Sequence, residues 1–221
     1  MTHDEVYREL ERDRENLQRW WEHRADEYRR RALKTQRFPV TWRTEYLSPR
    51  RVRYIILVTC IARKYEFNHG LVILALRKEE RGYSAYLNKI GFGACIRPMV
   101  FLPHVFDRYA ERAHVDKTGT DLICQMFCNQ AGGHTIDEQR LASKSVRYNG
   151  RDHLFMAVKD GVLLGDMEDG IFVVRTFITY DMAGGLQQKQ FNHAKGLLLD
   201  TEGEIRYAQS LSRKPAPWLI K

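Results

Sequence analysis

The run Pro103-His104-Val105-Phe106-Asp107-Arg108-Tyr109-Ala110-Glu111-Arg112-Ala113 is the stretch on which the reading of the chain rests. Wound at about 100° per residue, it acquires two faces. His104, Arg108 and Glu111 fall within about 60° of one another, with Arg112 to one side. Val105, Phe106, Tyr109, Ala110 and Ala113 cover the opposite side. That pattern predicts a short helix with one face for a core and one basic face for solvent or a cleft. Proline suits the first turn, where its missing N–H breaks no bond.

N-terminal to this helix, Met99–Leu102 is a short apolar approach, and Gly91-Phe92-Gly93 with Pro98 breaks whatever precedes it. Tyr83–Ile90 reads as a further extended element. Val52–Ala62 and Leu71–Leu76, separated by the turn signal Asn68-His69-Gly70, predict an antiparallel hairpin. Ser48-Pro49-Arg50-Arg51 is the turn leading into it. Between residues 3 and 34, Val6, Leu10, Leu17, Trp21, Tyr28 and Ala32 recur at a helical period in a charged background. Acids dominate its start and Arg29, Arg30, Arg31 and Lys34 close it, as the helix dipole favours. Trp20 and Trp21 read as packing anchors, so this helix is expected to dock on the core or to pair with a second chain.

C-terminal to the central run, Asp121–Asn129 reads as a second helix stopped by Ala131-Gly132-Gly133. Residues 136–148 fit neither period cleanly. His153–Lys159, Val162–Gly165 and Ile171–Tyr180, joined by Asp160-Gly161 and Asp169-Gly170, predict an antiparallel meander. The expected fold is therefore α+β: an N-terminal charged helix, a β-hairpin, two helices, then a meander. The expected divisions are an N-terminal helix (1–36), a core (37–182) and a peripheral tail (183–221).

Composition narrows the function classes. No apolar run approaches the roughly 18 residues that a membrane helix needs. The charged start, Met1-Thr2-His3-Asp4-Glu5, has no secretory pattern. Cys60, Cys95, Cys124 and Cys128 lie in apolar surroundings without a disulfide-like spacing, which predicts free thiols and a cytoplasmic protein. The net charge of +8 attracts polyanions, and nucleic acid is the usual one.

The basic face of the central helix carries the chemistry. Beside the positive end of the helix dipole, His104 is favoured as neutral imidazole, the form that accepts a proton. Arg108 and Arg112 are spaced to share a phosphate. A base and a phosphate clamp without an obligatory metal are the ingredients of 2′-hydroxyl attack on RNA. Glu111 is suited to orient the arginines or to take a proton. A solvated amphipathic helix accounts for the same pattern without any chemistry.

The run from Pro103 to Arg112 resembles the His-x-x-x-Arg-x-x-x-Arg helix of small metal-independent ribonuclease toxins of the barnase, colicin-nuclease and RelE-like class. The resemblance extends over about residues 103–180, less than half of the chain. It implies an endoribonuclease in which a helix packs on a curved antiparallel sheet. By position, Thr176 or Thr179 of Arg175-Thr176-Phe177-Ile178-Thr179-Tyr180 then matches the polar strand residues of that class. Strict alternation puts Thr176 and Thr179 on opposite faces, so only one of them meets the helix unless a bulge intervenes.

Arg50, Arg51, Arg147 and Arg151 are the basic clusters expected to extend a nucleic-acid track, with Tyr148 between the last two able to stack on a base. Arg53 alternates with apolar residues and reads as strand-face solvation. Cys124 and Cys128, one helical turn apart, suit a metal only if Cys95 and His114 or His134 join them. Leu122, Ile123, Met126 and Phe127 around them favour simple packing, so neither metal nor cofactor is expected. His134 and His153 are spare imidazoles in the same half. The competing readings are a ribonuclease, a non-catalytic nucleic-acid-binding protein, and an interaction module that uses the N-terminal helix to bind a second copy or another protein.

Overall fold

A computed structural model of the chain describes residues 1–60, 69–87, 98–129, 146–148 and 151–185, with positions 188–189, 191–192 and 195–196. The side chains of 69–70, 129, 146–148 and 151–153 lie outside the described residues. The fold is α+β, and the strands among the described residues form one nine-stranded sheet.

The N-terminal charged segment forms two helices, α1 (His3–Glu11) and α2 (Arg14–Lys34), where the apolar period predicts one. A capping box starts α1: Thr2 accepts from the Glu5 amide while the Glu5 carboxylate accepts from the Thr2 amide. The break falls at Asp13, the N-cap of α2. Its buried carboxylate accepts from the Tyr54 hydroxyl at 3.1 Å, which ties the junction of the two helices to the sheet. Trp20 packs on Tyr46, and Trp21 stacks on Tyr28, which meets Trp42. The tryptophans thus seat α2 on the sheet.

Five strands follow: β1 (Val40–Leu47), β2 (Arg53–Cys60), β3 (His69–Glu79), β4 (Gly82–Leu87) and β5 (Met99–Phe101). Each is antiparallel to the next, so the predicted hairpin is the middle of a longer meander. β1 was not anticipated, although Trp42, Thr44 and Tyr46 alternate with Arg43 and Glu45. Then come α3 (Pro103–Arg112) and α4 (Gly119–Asn129), followed by β6 (Val146–Tyr148), β7 (Arg151–Val158), β8 (Gly161–Glu168) and β9 (Ile171–Ile178), a second antiparallel meander.

The chain thus runs twice through a helix pair and then a meander. The last strands of the two meanders, β5 and β9, lie side by side and parallel, which gives the order β1-β2-β3-β4-β5-β9-β8-β7-β6. β2 is buried along nearly its whole length, as its unbroken Tyr54-Ile55-Ile56-Leu57-Val58 run requires of a strand covered on both faces. Tyr54, Ile56 and Val58 join Val6, Leu10, Leu17 and Tyr28 of α1 and α2. Ile55 and Leu57 join Val105, Phe106, Tyr109, Ile123 and Phe127 of α3 and α4. The result is three layers, with one helix pair on each face.

Beyond α1 the first face is closed by the segment after β9, where Ala183 and Phe191 pack on Val162. The tail therefore begins against the sheet, and residues 197–221 lie outside the described residues. Among the described residues, no helix is long and apolar enough to cross a membrane.

Candidate functional site

Helix α3 forms where its two-faced pattern predicts, with Leu102 at the N-cap and Pro103 in the first turn. Val105, Phe106 and Tyr109 are buried, and His104 and Glu111 are exposed. The polar face therefore looks outward. Arg108 lies between its neighbours: Nε donates to His104 Nε2 at 3.2 Å, and Nη1 donates to Glu111 Oε2 at 2.7 Å. In this contact His104 Nε2 is the acceptor, since Arg108 Nε has only a proton to offer.

Arg112 has a different task. β5 ends at Phe101, opposite Val174, and β9 continues four residues further. Carbonyls on that stretch of β9 have lost their strand neighbour. Arg112 Nη1 donates to one of them, the Phe177 carbonyl. Beneath it, Tyr109 meets Phe177 edge-on and donates to Asp160 Oδ2 at 3.0 Å. These contacts tie α3 to the sheet.

The two threonines do not join His104. A bulge interrupts the β8–β9 register, so that Leu164 faces Thr176 while Gly165 faces Val174. The extra residue, Arg175, turns to the α1–α2 face of the sheet and donates to Asp166 at 2.6 Å and to Glu168. Thr176 shares the face of Leu164, which packs with Val162, Ala183 and Phe191, on the opposite side of the sheet from α3. Only Phe177 of this stretch reaches the α3 core. The bulge that would free alternation acts here against the threonines. Thr179 precedes the 3-10 turn at Tyr180–Met182, and its side-chain hydrogen bond holds the Asp181 carboxyl below its ordinary value. Burial pushes the Tyr180 phenol up to about 12, and its hydroxyl donates to the Val158 carbonyl at 2.7 Å.

The basic clusters stand apart. Arg50 and Arg51 occupy the β1–β2 turn, where Arg51 adopts a left-handed φ of 63° and Arg50 approaches the buried Asp13 at 3.7 Å. Arg147 and Arg151 lie on β6 and β7 at the far edge of the sheet, their side chains outside the described residues. Six strand spacings separate β2 from β7, roughly 30 Å at about 4.8 Å each. Arg53 donates to Glu45, which also binds Arg43, and Arg43 reaches Asp121 and Thr120 at the start of α4. Burial opposes the Arg43 charge, but the Asp121 and Glu45 carboxylates outweigh it and raise its pKa, while Arg43 and Arg53 lower that of Glu45.

Cys124 and Cys128 pack in the α3–α4 core, and burial pushes the Cys124 thiol up to about 11, which keeps it protonated. His114 ends α3 in a left-handed conformation, φ 51°. Cys95 and His134 lie outside the described residues, and of His153 only the backbone is described. Among the described residues no cluster of three or more His, Cys, Asp or Glu is arranged to hold a metal.

Two features were missed from the sequence. One is the buried Asp13, whose signal was an aspartate directly ahead of Arg14-Glu15-Asn16. The other is the exposed basic end of α2, read only as a complement to its dipole. No protein-family model, curated protein or solved structure matches the chain.

Proposed function

We propose that this protein binds nucleic acid as a polyanion, by charge rather than by chemistry on the phosphate. The arrangement of α3 carries the reading. Arg108 is held between His104 and Glu111, and Arg112 is on a strand carbonyl. Neither is poised to clamp a phosphate, yet the chain keeps its net charge of +8. A basic protein that meets phosphates binds through counterion release, so affinity falls steeply with salt. Fluorescence anisotropy with labelled RNA and duplex DNA tests this. Binding at low salt that declines linearly on a log–log salt plot is expected, with the RNA left intact. No binding at low salt contradicts it.

One contact favours a second reading, metal-independent RNA cleavage. His104 Nε2 accepts from Arg108, as a general base accepts a proton, and Glu111 binds the same guanidinium. Cutting in the presence of chelator that disappears in His104→Ala would establish this reading. Intact RNA, or equal cutting by the variant, would remove it.

A further inference from the structure

We infer that the nucleic acid docks on the C-terminal half of α2 and the segment that follows it, along Arg30, Lys34 and Arg37. This rests on the nucleic-acid reading above and assigns it a surface. Residues 24–37 hold six cations, Arg24, Arg29, Arg30, Arg31, Lys34 and Arg37, against two acids, Asp26 and Glu27. All six cations are exposed. Glu27 is already bound by Arg24 and Arg31. Arg30, Lys34 and Arg37 make no ion pair among the described residues, in contrast to Arg108 on α3.

Geometry favours the same end. At about 100° per residue, Arg30 and Lys34 point away from Tyr28 and Ala32, which are buried on the sheet. An open groove of about 450 Å³ runs along His23, Asp26, Glu27, Arg30, Arg31 and Lys34. Its acids lie toward the N-terminal end and its cations toward the C-terminal end. The aromatic stack of Trp21, Tyr28 and Trp42 holds the helix in place before any ligand arrives. A phosphate backbone meeting cations on a pre-ordered helix orders only their side chains.

An anionic membrane is the less suitable partner. Interfacial helices bury an apolar face in the lipid, and the apolar face of α2 is already buried on β1 and β2. The exposed Leu33 is a single side chain and supplies no such face.

The test compares the wild-type chain with Arg30→Glu/Lys34→Glu and with Arg8→Glu/Arg12→Glu, which removes the same charge from α1 and its C-cap. Anisotropy is read with a short fluorescein-labelled RNA across a salt series, and circular dichroism confirms that each variant is folded. The α2 variant should bind at least about tenfold more weakly, with a salt slope shallower by about 2. The α1 variant should lose no more than about threefold, through long-range attraction alone. Phosphatidylserine vesicles should not displace the RNA. Equal losses in the two variants, or undiminished binding by the α2 variant, overturn the assignment to α2 and leave the nucleic-acid reading standing. Displacement by vesicles also overturns the assignment. A wild-type chain that binds no RNA overturns both.

Discussion

Helices α2 and α3 both present arginines on an outward face, yet they use them differently. On α3 each arginine has an internal partner: Arg108 joins His104 to Glu111, and Arg112 satisfies a carbonyl on the free edge of β9. On α2 the last turns carry Arg30 and Lys34 without an ion pair among the described residues. Motif spacing draws attention to α3, because histidine and arginine recur there at i, i+4 and i+8. Spacing reports which side chains share a face. It does not report whether they are already engaged, and that decides which face is available to a ligand.

The β8–β9 bulge turns Thr176 away from α3. Gly165 makes it possible: a Cβ there would lie 2.0 Å from the Val173 carbonyl oxygen. Gly165→Ala is expected to cost about 4 kcal/mol, through overpacking against backbone that cannot give way. Chemical denaturation measures this, and a loss under 1 kcal/mol would mean that the bulge does not determine which residues face the helix.

Arg112→Ala comes next. It leaves the Phe177 carbonyl unpaired under α3, with an expected loss of about 2 kcal/mol. Arg30→Ala is expected to leave stability within about 0.5 kcal/mol, since it removes an exposed side chain that has no ion pair among the described residues. Equal effects of the two substitutions would erase the distinction drawn between the helices.

The smallest expected effect is electrostatic and lies at the β1 edge. Arg43 and Arg53 hold the Glu45 carboxyl below its ordinary value of 4.5. A carboxyl depressed in the folded state contributes stability that is present above its unfolded pKa and lost as pH falls through the folded one. Glu45→Gln should therefore cost on the order of 0.5 kcal/mol at neutral pH, and nothing once the medium is acid enough to protonate Glu45 in the folded chain. Thermal melts at pH 7 and pH 3 check the sign, and a larger loss at low pH would reverse it.

Much of this fold could be read from residue patterns, and the reasons differ by element. Tyr54–Val58 and Ile171–Val174 are apolar runs of strand length, and Asp160-Gly161 and Asp169-Gly170 are turn signals, so β2, β7, β8 and β9 were recognisable locally. The core face of α3 followed from Val105, Phe106 and Tyr109. The parallel junction of β5 with β9 was not readable, because it joins Met99–Phe101 to Phe172–Val174 across some seventy residues and depends on which faces the helices leave open. β1 was obscured by its charged alternate positions, Arg43 and Glu45, whose partners lie on α4 and β2. The break at Asp13 was hidden by an apolar period that continues smoothly from Leu10 to Leu17.

The candidate site divides in the same way. The shared face of His104, Arg108 and Glu111 was set by sequence spacing alone and is found in the structure. The position of Thr176 depended on a one-residue bulge, and the occupation of Arg112 on where a neighbouring strand ends. Neither is a local property of the residues concerned.

The most direct test of the central claim, that the available cations lie on α2 rather than α3, is the RNA affinity of Arg30→Glu/Lys34→Glu measured at one low salt concentration. The variant is expected to be folded, with its affinity lowered at least about tenfold. A folded variant that binds RNA as tightly as the wild-type chain would contradict it.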